Sequence, residues 1–467
     1  MNEKTLHRTI ALLTGLMPFV LGGFFTWTAC LATVALTAVL WIYLRHHKAL
    51  TVSYSAAALA VLLLCVCSLF AVLWTQDRGM ALPGLCRCVP LLLWAVLLWQ
   101  VTLEGREEAL EVLPWSGAVM TAVSVPLSGL PVMNGHLLVA GRQAGLFEYP
   151  NTFALFLLLG LLVLATRSAH RRYHGALAAV LLAGIFLSGS RTVFLLTALC
   201  AAVLAFCAPR KPVRRCIVIV LPAAVAAVAA YAVLTGKFSS AGRFLTTSLH
   251  SSTLLGRLLY ARDALPVILR HPLGIGYGAY AAMQGSFQTG VYSVQSVHND
   301  LLQLMLDAGW APAIVMTFAV GKTLFRRGTS LRRRLMLGAM CLHALLDFSL
   351  QYLSMAMLAG EVPATDWSGG YAQDAVGITA LGPHVAPGTA EAVANAEEAI
   401  RSDILHVFDT ATFTVGGAEV TSCFTFDSDG DFNNDTNEGI VDGYYHESEY
   451  ISAPSFALRI DGILELN

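Results

Sequence analysis

Residues 298–325 read HNDLLQLMLDAGWAPAIVMTFAVGKTLF, a ring nitrogen and a side-chain amide standing at the mouth of a long apolar run. The run reads as one helix crossing a bilayer over 299–325, with His298 and Asn299 where it leaves water and Leu302, Met305 and Leu306 at helical spacing behind them. Such a polar pair either caps a helix at the interface or performs chemistry at a membrane surface, and the residue types alone leave both open.

Apolar runs of similar kind recur at about 9–25, 27–44, 53–74, 89–103, 112–130, 151–166, 175–190, 192–208, 216–235 and 335–358, so the chain reads as an all-α polytopic membrane protein of about 11 spans. Hydrophobic residues make up 56% and charged residues 13%, with mean hydropathy +0.65, which excludes an ordinary soluble domain. The basic residues fall in short clusters between apolar runs, which excludes a nucleic-acid footprint. Placing the amino terminus inside puts Arg45, Arg106, Arg167, Arg210 and Arg326 to Arg334 on the cytoplasmic side of the inner membrane. The 131–150 loop, the Ser188–Arg191 hinge, the long 236–298 segment and the carboxy-terminal tail then face outward. The first apolar run, after MNEKTLHR, reads as a retained helix because no small-residue cleavage site stands out.

Seven of the ten cysteines lie in or beside apolar runs, where thiols behave as small hydrophobes. Cys86 and Cys88 are too close for an easy disulfide and lack further ligands for a metal. No metal and no cofactor are assigned. Near Gly360 the composition changes, and the hundred residues that follow read as a separate small α/β extracytoplasmic piece: a helix over 390–402, with strands and turns at 406–415 and at the SAPSFALRIDGI end. Residues 427–438 imitate an EF-hand loop, but Phe432 stands where the loop requires glycine, so a solvated acidic loop is the better reading.

Three arginines on the outward side invite a chemical reading. Arg142 lies in GRQAGLFEYPN (141–151), where Asn151 is placed to cap the following helix; an isolated arginine there also serves as an interfacial anchor. Arg191, in FLSGSRTVFLL, sits between two apolar runs where a charge is expensive, and guanidinium forks pair bidentately with phosphate oxygens. Arg257 belongs to GRLLYARDAL (256–265), an amphipathic helix against the membrane, with Arg257, Tyr260, Ala261, Ala264 and Leu265 on one side and Arg262–Asp263 as a surface charge pair. Pro272 ends that helix, and Gly274, Gly276 and Gly278 make a close-approach turn. His250, His271 and His343 lack any comparable motif.

In order and spacing, RxxGLFxxPN, SGSR, GRLLYARDAL with HPLGIGYG, and HNDLLQLMLDAG resemble the O-antigen ligase and polymerase family, over about 1–358 and including HALLDFSLQYLSMAML (343–358) as the last helix. The resemblance implies a membrane glycosyltransferase that moves a glycan from an undecaprenyl-diphosphate carrier to an acceptor hydroxyl on a glycan or glycolipid, without metal or nucleotide. It implies that Arg191 and Arg257 hold the diphosphate, with Arg142 secondary, and that His298 acts at the acceptor hydroxyl. Histidine titrates near 6.5, which suits a base at neutral pH, and Asn299 either positions it or binds sugar.

The tail, 360–467, resembles the end of the basic membrane protein family of ABC-transporter substrate-binding lipoproteins, which bind nucleosides between two lobes; here one wall of such a cleft is missing. The join is either a natural fusion or an artefact of sequence assembly. Two rival functions follow: a solute-binding component of a transporter, for which so many spans exceed an anchor's needs, and a lipid-linked sugar transporter, which needs a path through the bilayer where the candidate residues gather on one side.

Overall fold

A helix that is apolar all round is stable where protein or lipid surrounds it, and Pro150–Ala165 is such a helix, here enclosed by protein. Phe153 to Leu159 are all buried, and this helix is the axis of the membrane unit. The computed structural model describes residues 3–47, 49–52, 55–75, 78–167, 173–207, 252–290, 292–326, 329–361, 386–402, 404–406, 409–423, 438, 440–445 and 461. The chain divides into one unit of Met1–Leu324 with Ser330–Ala364 and another of Phe325–Thr329 with Thr365–Asn467.

The first unit is built from α1 (Glu3–Leu16), α2 (Thr26–His46), α3 (Ala56–Phe70), α4 (Arg78–Trp99), α5 (Leu103–Leu110), α6 (Leu113–Leu127), α7 (Pro131–Leu137), α8 (Pro150–Ala165), α9 (Tyr173–Leu187), α10 (Arg191–Cys207), α11 (Ser252–Arg270), α12 (Ala279–Phe287), α13 (Asp300–Ala308), α14 (Trp310–Phe325), α15 (Leu331–Ala344) and α16 (Leu353–Glu361). Among the described residues three helical stretches, Thr26–His46, Leu82–Trp99 and Gly105–Leu127, are long and apolar enough to cross a membrane, and five shorter apolar helices accompany them. The span expected at 216–235 lies outside the described residues. Leu31, Val34 and Trp41 on α2, Leu195 and Phe206 on α10 and Phe318 on α14 point outward, as helices bathed in lipid require.

Polar contacts fix which helix ends share a face. On the lower face Glu107 meets Arg332 at 3.0 Å and Arg333 at 2.7 Å, while Glu111 meets Arg332 at 2.9 Å and Arg167 at 2.5 Å. Arg332 also donates to Thr166 Oγ1 at 2.9 Å, so α8 ends where α15 begins. Gln100 and Thr51 exchange two 2.9 Å bonds beside the same end of α4. The face thus collects several of the basic loops that the charge pattern puts on one side.

Three expected spans are broken. The first, at 9–25, is α1 followed by short 3-10 turns at Met17–Phe19 and Leu21–Gly23. The span at 299–325 splits at Gly309, whose φ of +89° brings its backbone against Pro272 and Leu273. A β-carbon there would stand 2.6 Å from the Pro272 carbonyl oxygen, so glycine is required for the close approach. Trp310 N–H donates to Pro272 O at 2.9 Å and Ile275 N–H to Leu306 O at 2.6 Å, which pins the 271–278 turn onto the break.

The last expected span, 335–358, is interrupted between Ala344 and Leu353 and turns back on itself. Arg87 donates to Gln351 O and the Trp94 indole N–H to Met357 O, so α16 runs alongside α4 in the same direction, toward Val101, Ala109, Leu6 and Ile10. The segment is a helical hairpin, and at Glu361 the chain heads back toward the lower face.

In the second unit, α17 (Thr389–Arg401) matches the helix expected at 390–402. Within 406–415, read as strands and turns, the described residues form a 3-10 turn, Thr410–Thr412, with isolated bridges at Asp409 and Val415, and a two-stranded ribbon pairs β1 (Ile440–Val441) with β2 (Tyr444–Tyr445). Asp461 accepts from Thr414 Oγ1 and from the Gly416 and Gly417 N–H groups. Most of the EF-hand-like stretch lies outside the described residues; Glu438 accepts from the Cys423 and Ile440 N–H groups.

The arrangement of faces predicts that, with native thiols blocked, a membrane-impermeant maleimide added to one side of sealed vesicles labels Asn134→Cys but not Glu108→Cys. Equal labelling of both from one side would overturn the assignment of opposite faces.

Candidate functional site

The break in the last helical segment places Asp347 in the interior of the upper half, with only 2% of its side chain exposed. A buried carboxylate is tolerated only when its oxygens are satisfied, and here they take every donor within reach. Tyr149 OH donates to Oδ1 at 2.8 Å, Asn151 Nδ2 to Oδ2 at 2.6 Å, Arg257 Nη2 to Oδ2 at 3.0 Å and the Phe348 N–H to Oδ1 at 3.0 Å. Acceptance from so many donors is the pattern of an ionised carboxylate.

His298 is the remaining partner, its Nδ1 3.2 Å from Asp347 Oδ1. With that nitrogen donating to the carboxylate, Nε2 is left as the ring's acceptor. The imidazole stands edge-on to Phe348 at 4.9 Å and its side chain is 22% exposed, so the ring is held yet reachable. His298 also has φ +57°, a left-handed conformation rare for a residue with a side chain, of the kind that persists where surroundings over-determine it.

The motif residues around these two are mostly scaffolding. Asn299 caps α13, its Oδ1 accepting from Leu302 N–H at 3.0 Å while Nδ2 donates to Leu345 O at 2.9 Å. Asp300 accepts from Leu350 N–H at 2.9 Å. The two bonds tie both ends of the 345–352 break to the start of α13, which brings Asp347 to His298. Ser349 Oγ joins Thr152 and His343 at 2.9 and 3.2 Å.

Arg142 departs from the picture of an isolated anchor. Its Nη2 donates to Asn151 Oδ1 at 2.6 Å and its Nε to Ser188 O at 2.7 Å. Asn151 therefore bridges Arg142 to Asp347 and does not cap α8, whose first residue is Pro150 after an N-cap at Tyr149 without a side-chain bond. Arg142 also ties the Ser188–Ser190 hinge to the site, and Arg191 follows as the first residue of α10. Half-buried, Arg191 makes no hydrogen bond or ion pair among the described residues, which leaves its guanidinium fork open.

Arg257 reaches Asp347 from α11. On that helix Ala264, Val267 and Ile268 are buried, but Leu265, expected on the same face, is exposed. Asp263, expected at the surface with Arg262, is buried and accepts from the Thr289 N–H, Thr289 Oγ1 and Tyr292 OH within 2.8 Å. Burial alone would raise its pKa; the three hydrogen bonds outweigh burial and hold the carboxyl below its usual range. They fasten the 288–292 loop to α11. His271 bonds its own helix at Val267 O, and His250 lies outside the described residues.

Asp347 and Tyr149 are the site residues that the motifs did not mark. The signal for Asp347 is present in the sequence: a carboxylate inside HALLDFSLQYLSM is a charge in an apolar segment, which makes it a candidate site residue. The unbroken apolar run on either side gives no sign that the helix stops there. Among the described residues no group of three His, Cys, Asp or Glu side chains gathers as metal ligands.

Residues 176–318 match the family model described as O-antigen ligase. The match begins within α9, takes in α10 to α13 and ends within α14, and it contains Arg191, Arg257, His298 and Asn299; Arg142 and Asp347 lie outside it. No curated protein matches the chain. A multi-pass helical membrane protein similar to the O-antigen ligases in kind is thus what the helices and the match support together.

Removing the charge at the centre is predicted to loosen this assembly. Asp347→Ala strands Arg257 in a largely buried position, a cost of about 3–5 kcal/mol. Tyr149→Phe removes one bond to a charged acceptor, about 1.5–3 kcal/mol. Thermal unfolding of the purified protein in detergent should rank wild type above Tyr149→Phe above Asp347→Ala; an Asp347→Ala protein as stable as wild type would refute the central role of the carboxylate.

Proposed function

We propose that this chain transfers a glycan from an undecaprenyl-diphosphate carrier to an acceptor hydroxyl at the outer face of the cytoplasmic membrane, in surface polysaccharide assembly. The observation that carries the reading is the His298–Asp347 pair, with a guanidinium on the same carboxylate and, on the adjoining hinge, one that has no partner among the described residues. A multi-pass topology with the amino terminus inside and His298 outside completes the proposal.

In this reading the acceptor oxygen attacks the anomeric carbon of the donor sugar and its proton passes to His298 Nε2. The bond from that carbon to the diphosphate oxygen breaks, and the electron pair stays on the diphosphate. Asp347 holds the imidazole in the accepting tautomer and stabilises the imidazolium that forms. Arg191 receives the diphosphate with its open fork. Arg257 uses one nitrogen on Asp347 and has further donors for a phosphate oxygen. Arg142 braces the hinge and Asn299 positions the helix start, so neither need touch the substrate. Ligase and polymerase share this chemistry and differ in the acceptor.

The tail is proposed as a separate soluble piece that resembles the end of a basic membrane protein solute-binding lobe and takes no part in transfer. Nucleosides titrated against the full-length protein are expected to show no saturable binding. Micromolar binding that persists in a His298→Gln variant would move the function toward solute uptake.

Two substitution series test the transfer chemistry. Lysine keeps the charge but loses the planar fork, so Arg191→Lys and Arg257→Lys should each lose most transfer at matched membrane levels, while Arg142→Lys is milder. His298→Ala and His298→Gln should abolish transfer and leave donor binding largely intact, since the arginines hold the donor. Near-normal turnover by His298→Gln would end the general-base role.

A further inference from the structure

Two aromatic rings border the His298 imidazole. Phe348 stands edge-on to it at 4.9 Å and packs against Tyr149 at 4.7 Å, so it belongs with the residues gathered around Asp347. The other ring is Tyr260, on α11 one turn after Arg257, at 6.0 Å from the imidazole and tilted 34° to it. Tyr260 packs in turn against Tyr292 at 4.6 Å. Tyr292 donates its hydroxyl to the buried Asp263 carboxylate at 2.8 Å, and Thr289 gives that carboxylate two further bonds. Asp263 thus pins Tyr292, and Tyr292 braces Tyr260 beside the histidine.

Tyr260 keeps a group to spare. Its side chain is only partly buried, and its hydroxyl makes no hydrogen bond among the described residues. That hydroxyl reaches back along α11 over Gly256, where a β-carbon would stand 3.1 Å from it. Packing alone needs only the ring, whereas a reachable phenol both donates and accepts. The face of the ring carries negative charge, which repels phosphate and attracts polarised C–H groups. A pyranose offers such C–H groups on its flat face and hydroxyls around its rim. The anionic donor is left to Arg191 and Arg257, and the neutral sugar to Tyr260 and the acceptor nitrogen of His298.

We propose that Tyr260, braced by Tyr292, is the platform on which the acceptor sugar lies, one hydroxyl at His298 Nε2 and another at the Tyr260 hydroxyl. The proposal rests on the glycan-transfer reading and deepens it: the acceptor is a pyranose with an open ring face, not a hydroxyl on a flexible chain. Tyr260 binds and takes no proton.

The test uses full-length protein in lipid nanodiscs, titrated with the methyl glycosides of glucose, galactose, mannose and N-acetylglucosamine and followed by saturation-transfer NMR. At least one should bind saturably to wild type. Tyr260→Phe keeps the ring face and loses the hydroxyl, and should weaken that binding about threefold. Tyr260→Leu loses both and should weaken it about tenfold or more. Absence of saturable binding by all four glycosides overturns the platform. So does binding unchanged in both variants, even with transfer reduced, because the ring would then only prop the histidine. The transferase reading is judged separately by the turnover of His298→Gln, so its failure and the failure of the platform are distinguishable.

Discussion

One buried carboxylate organises the upper half of this molecule. Asp347 sits where no water can compensate its charge, so Tyr149 and Asn151 beside the start of α8, Arg257 from α11 and His298 before α13 must all converge on it. Leaving such a charge unpaired costs several kcal/mol, more than any of the surrounding turns contributes alone. The irregular backbone at 345–352, the left-handed His298 and the bridging role of Asn151 are all consequences of satisfying that one group.

The rest of the membrane unit supplies the frame that makes the convergence possible. Helix α8 is buried on every side and connects the two faces: its start carries Asn151 to Asp347, and just past its end Thr166 meets Arg332. The Glu107, Glu111, Arg167, Arg332 and Arg333 cluster fixes where α15 begins, and hence the height at which Asp347 emerges fourteen residues after Arg333. Backbone contacts in place of side chains at Gly309 and the 271–278 turn then set the approach of α13.

Function in this frame follows from unequal satisfaction of charged groups. Asp347 is saturated and therefore serves as an anchor, whereas Arg191 is open among the described residues. Groups left incomplete in a low-dielectric interior are where ligands gain most by binding, and the anchor ensures that they stay put when ligands arrive.

Composition and apolar run length by themselves determined that this chain is helical and built for a membrane, where the described helices begin and end to within a few residues for α2, α6, α8, α9 and α10, and that a different kind of piece follows Gly360. They also marked His298, Arg191 and Arg257, because charged and titratable side chains are scarce in apolar surroundings. Tertiary structure alone decided the breaks at Gly309 and at 345–352, since run length carries no record of a close backbone approach or of a carboxylate that must be met by donors distant in sequence. It also decided that Asn151 bridges and does not cap, and that Asp263 is buried, because each depends on a partner that local spacing cannot reveal.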